Sequence, residues 1–108
     1  MTNWDEIEHF EQGEFDDPDH PESGELIDET LVLTLDQLRD TTGWALIPHW
    51  NVGGCVDVYG THGHDDNSYH RADNGCSACD FHFDTDAHTR LQFYAVEKIG
   101  FSGVGIYW

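Results

Sequence analysis

Residues 78–83, Ala78-Cys-Asp-Phe-His-Phe83, alternate apolar with polar side chains. That period of two predicts a strand with one buried face and one polar face. Downstream, Asp86 is placed to cap a helix whose face would be Leu91, Tyr94, Ala95 and Lys98, with Ile99 near its end and Gly100 closing it. Residues 103–108, from Gly103 to Trp108, read as a terminal strand. Upstream, residues 51–75 are rich in Gly, Asp, His and Asn and read as long loops. Before them, residues 44–48 (Trp44 to Pro48) read as a short buried strand. Leu31, Leu35 and Leu38 recur at helical spacing between Thr30 and Thr42, with Gly43 at the cap position. The order helix, strand, loops, strand, helix, strand defines a small α+β domain with function concentrated in the central loop.

The chain has 108 residues, one domain's length, with 22 acidic and 4 basic side chains and a net charge of −18. A domain this acidic repels phosphate backbones, so nucleic acid is not an expected partner. No apolar run reaches the roughly 20 residues of a membrane span, and no basic-then-apolar start marks a signal peptide. Twelve of the 22 acids lie in residues 1–30, which carry no Lys or Arg. Lys98 is the single lysine. Such a balance suits a surface hydrated in high salt, or an acidic arm docking on a partner. Residues 1–28 are read as that acidic arm and residues 29–108 as the domain proper. A short amphipathic helix over residues 3–11 would present Trp4, Ile7 and Phe10. With Phe15, these need the domain body or a neighbouring subunit to pack on.

Six of the eight histidines and all three cysteines fall between His49 and His88. A histidine from a loop and an aspartate from the next strand, His70 and Asp80, can hold Zn²⁺ through an imidazole nitrogen and a carboxylate oxygen. A catalytic zinc site needs a third protein ligand and an open water position. A separate metal reading uses Cys76 and Cys79 of a CxxC, with Cys55 and His82 completing a structural Cys₃His site. Its competitor is three small buried thiols, or two of them paired as a disulfide. His9, His20 and His88 read as solvated. Asp65-Asp66 and Asp84 to Asp86 lack the graded spacing of a calcium loop. Trp44, Phe81, Phe83 and Phe101 read as core, whereas Trp50, Tyr107 and Trp108 could sit at an interface.

Ser68-Tyr-His70, then Gly75, then Ala78-Cys-Asp80 resembles the Ser-x-His, Gly and Ala-x-Asp pattern of the zinc D-alanyl-D-alanine peptidases. These peptidoglycan-cutting enzymes share their fold with the hedgehog signalling domain. Leu35-Asp-Gln-Leu-Arg39 with Thr42-Gly43, the Asn51-Val-Gly-Gly54 turn and residues 99–108 are similar to further pieces of the family, so the resemblance spans about residues 30–108. It implies the hedgehog/DD-peptidase fold, His70 and Asp80 as Zn²⁺ ligands with Ser68 in support, and a peptidoglycan stem peptide as substrate. Cell-wall remodelling or phage lysis would be the setting.

The chain also departs from the family. His70 and Asp80 are ten residues apart, a longer interval than the family's. Pro48-His-Trp-Asn51 stands where an oxyanion-stabilising Arg is usual. The family's third ligand and its general base fall after the position of Trp108, so no catalytic residue is assigned. His82, His62 or His64 could complete the metal site, as could a strand from a second chain. The competing expectation is a non-catalytic structural or interaction protein on the same fold, such as a virion component. It would assemble through residues 1–28 and the terminal strand.

Overall fold

A computed structural model describes residues 2–99 and the backbone of residues 104–106. Two helices, α1 (Glu29–Thr42) and α2 (Thr89–Ile99), accompany three strands, β1 (Ala45–Pro48), β2 (Cys79–Asp84) and β3 (Val104–Ile106). The protein is thus an α+β domain. The strand order is β1-β2-β3. β1 runs antiparallel to β2, pairing Ile47 with His82, and β3 runs parallel to β2, pairing Cys79 with Val104. A parallel neighbour requires a crossover, and α2 supplies it.

The alternation along β2 sorts its side chains as the sequence implies. Cys79, Phe81 and Phe83 are buried, Asp80 and His82 are half-buried, and Asp84 is exposed. α1 closes the apolar side. Leu31, Val32, Leu35 and Leu38 form its buried stripe, the Asp28 carboxylate accepts from the Leu31 amide at 2.9 Å, and Gly43 ends the helix at φ 70°. A left-handed residue at that position favours glycine, which has no Cβ to clash.

Three expectations are corrected. The helix over residues 3–11 is only a turn of 3₁₀ helix, Trp4–Glu6, capped by Asn3. The Asp36 carboxylate of α1 takes the amides of Glu8 and His9 at 3.1 and 2.8 Å, removing the donors that would have continued the helix. The α2 face is turned. Gln92, Ala95, Val96 and Ile99 face inward, whereas Leu91 and Tyr94 are exposed. Gln92 anchors this rotation by donating from Nε2 to the Ala87 carbonyl at 2.9 Å. Asp86 does not cap that helix. His88 occupies the cap, its carbonyl accepting from Leu91 and its Nδ1 from Arg90.

Ile7, Phe10, Phe15 and Ile27 from the first 28 residues are buried in the same core as Leu31, Val32 and Leu35. Phe10 and Phe15 meet edge to face at 5.4 Å, and Arg39 donates to the His9 carbonyl at 2.9 Å. The acidic lead-in therefore lies across its own α1. Trp44 packs edge to face on Phe83, while Trp50 is exposed. Phe101, Tyr107 and Trp108 lie outside the described residues.

Candidate metal centre

The loop between β1 and β2 returns to the polar face of β2 by way of Gly53 and Gly54. A Cβ on Gly54 would stand 2.7 Å from the His49 carbonyl and 3.3 Å from Asp80 Cβ. Only a glycine lets the loop come this close, and the approach is sealed by the Asp80 amide donating to the Gly54 carbonyl at 2.6 Å. Gly53, at φ 74°, makes the same room for the His62 ring.

His70 and Asp80 meet as the sequence implies, with His70 Nε2 3.7 Å from Asp80 Oδ1. The third member is His64, whose ring stacks on His70 with centroids 4.1 Å apart and planes 13° from parallel. One donor atom from each of His64, His70 and Asp80 lies within 4.8 Å of the others. His82 does not join them. It pairs with His49 across a 2.7 Å contact between His49 Nε2 and His82 Nδ1.

Hydrogen bonds decide which imidazole nitrogens are offered. His70 Nδ1 is 3.3 Å from the Cys55 carbonyl, and His64 Nδ1 is 2.8 Å from Asp57 Oδ2. A carbonyl and a carboxylate only accept, so both Nδ1 atoms donate, and the Nε2 atoms are the ring nitrogens left to face a metal. Metal-binding histidines are oriented in this manner, by an acceptor on the second nitrogen. Burial first, and His64 beside it, hold the His70 pKa below its usual range against the pull of Asp80. His70 is therefore neutral at pH 7 and has no proton to shed before ligating. Tetrahedral zinc with bonds of about 2.0–2.1 Å places two ligands roughly 3.4 Å apart, close to the 3.7 Å between His70 and Asp80. The donor set, two imidazoles and a carboxylate with a position open, fits zinc or a related divalent ion.

Asp57 is the residue that sequence reading missed. It is fully buried, and its Oδ2 accepts from the His62 amide at 3.1 Å as well as from His64. Its amide donates to the His70 carbonyl at 3.0 Å, so one aspartate contacts both His64 and His70. The available signal was its place between Val56 and Val58, a charged residue in an apolar run. Ser68 supports the site through the main chain, its Oγ accepting from the His70 amide at 3.2 Å.

The four residues of the cysteine alternative are not gathered at one point. Cys55 and Cys79 touch, but the Cys76 sulfur faces the His70 carbonyl at 3.6 Å, and His82 is with His49. Among the described residues, none of the side-chain groups able to hold an ion contains a cysteine.

A second His/Asp group lies nearby. His62 Nε2 is 3.0 Å from Asp17 Oδ1 and 3.2 Å from Asp19 Oδ2. Burial works against charge on His62, but the hydrogen bond and charge of Asp17 outweigh it, and the His62 pKa is raised. Burial also opposes charge on Asp17, yet amides of Asp19 and Val58, with His62, hold its pKa below the ordinary value. This is an ion pair fastening the lead-in to the loop. A groove of about 430 Å³ between α1 and α2, lined in part by Leu38, Thr41, Tyr94 and Lys98, holds none of these ligands. No helix among the described residues is long and apolar enough to cross a membrane.

No family model, curated protein or solved structure matches the chain.

Proposed function

We propose that the protein is a zinc-binding, peptidase-like domain of the hedgehog/DD-peptidase type acting on peptidoglycan stem peptides, with His64, His70 and Asp80 as the metal ligands. The observation that carries the metal assignment is the pair of Nδ1 contacts, to Cys55 O and Asp57 Oδ2, which leave two Nε2 atoms beside a carboxylate. The substrate class rests on the order of the Ser68–His70, Gly75 and Ala78–Asp80 elements.

A zinc ion in such a site supplies Lewis acidity and a bound water of lowered pKa. Asp57 orients the His64 ring and the Cys55 carbonyl the His70 ring, and Gly54 keeps the loop against β2 so that His70 and Asp80 stay within reach. Metal content of the purified chain, measured by mass spectrometry with and without Asp80→Ala, tests the assignment. One zinc per chain that is lost in the variant supports it, and hydrolysis of a cell-wall peptide that disappears with His70→Ala supports the substrate class. No metal in either protein removes the peptidase reading.

The second reading, a non-catalytic interaction module, draws support from β3, which is the outermost strand of the order β1-β2-β3 among the described residues. Metal-free protein that sediments as a stable oligomer would favour it.

A further inference from the structure

Beneath the metal ligands lie two sulfurs that the site does not use. Cys55 Sγ and Cys79 Sγ are 3.0 Å apart across 24 positions of sequence, and both residues are fully buried. Their neighbours explain the closeness. Gly54, one residue before Cys55, accepts from the amide of Asp80, one residue after Cys79, so the two backbones are already joined. A movement of about 1 Å brings the sulfurs to the bonded separation of about 2.05 Å. The same pair of residues frames the metal centre. The Cys55 carbonyl orients His70, and Cys79 precedes Asp80 in β2.

We propose that Cys55 and Cys79 form a disulfide that fastens the β1–β2 loop to the start of β2, leaving Cys76 as the single thiol. The reaction is exchange with a small-molecule disulfide. Each thiol gives up one proton and one electron, one Sγ–Sγ bond forms, and the reagent's S–S bond is cleaved to give two thiols. Both sulfurs are fully buried in the folded chain, so the bond forms while the chain folds and both are still accessible to the reagent. Cys76 is pushed up to about 11 by burial and lies against the His70 carbonyl rather than against another sulfur.

The competing pair is Cys76 with Cys79, three residues apart. Closing that small loop is entropically easier in the unfolded chain, so linkage of Cys55 to Cys79 reports the fold and not chance encounter. The test is to reduce and unfold the full chain, refold it in a mixture of reduced and oxidised glutathione, count thiols after denaturation, and map the linked peptides. One thiol per chain, at Cys76, with Cys55 and Cys79 in one linked peptide, is the expected result. The variant Cys76→Ala then retains no thiol. Three thiols in the wild type, two in Cys76→Ala, or a link that includes Cys76 overturns the proposal. None of these readouts requires metal, so the disulfide and the zinc site stand or fall separately.

Discussion

Two of the His/Asp clusters among the described residues are built from the same donor types, and their histidines His70 and His62 are tuned in opposite directions. In one, His70 turns Nδ1 to a neutral carbonyl and holds Nε2 3.7 Å from Asp80, with burial keeping the ring neutral. In the other, His62 puts Nε2 directly on Asp17 and Asp19 at 3.0 and 3.2 Å, and the ring gains affinity for its proton. Proximity of histidine and aspartate therefore does not by itself make a metal site. What matters is whether a second acceptor occupies the other ring nitrogen and leaves a lone pair to offer. Asp57 links the two clusters, accepting from the His62 main chain and from the His64 ring.

The largest contrast is in metal retention. Asp80→Ala or His70→Ala removes one of the three proposed ligands and is expected to lower zinc affinity more than ~100-fold, beyond the 10–100-fold typical of supporting residues. His62→Ala is expected to leave affinity unchanged within a few-fold. Competition with a chromophoric chelator measures both. Equal losses in His62→Ala and His70→Ala would erase the distinction between the clusters.

Stability should show the reverse. Asp17 is buried, accepts from the amides of Asp19 and Val58, and pairs with His62. Asp17→Ala strands those donors and is expected to cost about 2–4 kcal/mol in urea unfolding of the metal-free protein. Asp80→Ala, at a half-buried position with no comparable set of amides on its carboxylate, should cost less. A larger loss in Asp80→Ala would mean that the centre is itself structural.

Asp57→Asn sharpens the coupling between the clusters. The amide retains the shape but gives up the charge that holds the His64 tautomer. Zinc affinity is then expected to drop 10–100-fold with all three proposed ligands still present. An unchanged affinity would show that the stacking on His70 alone orients His64.

Much of this arrangement is legible in the sequence, and the reasons for the rest are physical. The β2 alternation, the α1 leucines and the Gly43 cap are local patterns, and local patterns survive tertiary packing when nothing competes. The α2 face is not decided locally, because Leu91 and Tyr94 on one side rival Val96 and Ile99 on the other, and the Gln92 contact to Ala87 breaks the tie. Likewise the Asp36 carboxylate that ends the first turn is nearly 30 residues away from the amides it takes. At the site, His70 and Asp80 are visible as a loop histidine followed by a strand aspartate. His82 looks an equal candidate for the third position, but side chains two apart on one strand are separated by roughly 6.6 Å. A loop residue such as His64 has no such limit, and its position depends on Gly53, Gly54 and Asp57 together.

The smallest expected effect is the pH dependence, and its sign separates the clusters cleanly. His62 has a folded-state pKa above its ordinary 6.5, so its ion pair contributes fully below pH 6.5 and is lost as pH rises through the folded value. Asp17 has a folded-state pKa below 3.8, so its contribution is present above that pH and is lost as pH falls through the folded value. The pair therefore stabilises most between these limits. His70 behaves oppositely to His62. Its pKa is lowered from 6.5 by burial, so the unfolded chain takes up the proton more readily and stability falls as pH drops below 6.5. Unfolding of metal-free protein from pH 5.5 to 8 should therefore show His62→Gln losing the stability that declines towards high pH. In His70→Gln the loss towards low pH should disappear instead. Parallel pH profiles for the two variants would mean that both histidines share one protonation state, and the distinction between ion pair and metal ligand would have no electrostatic basis.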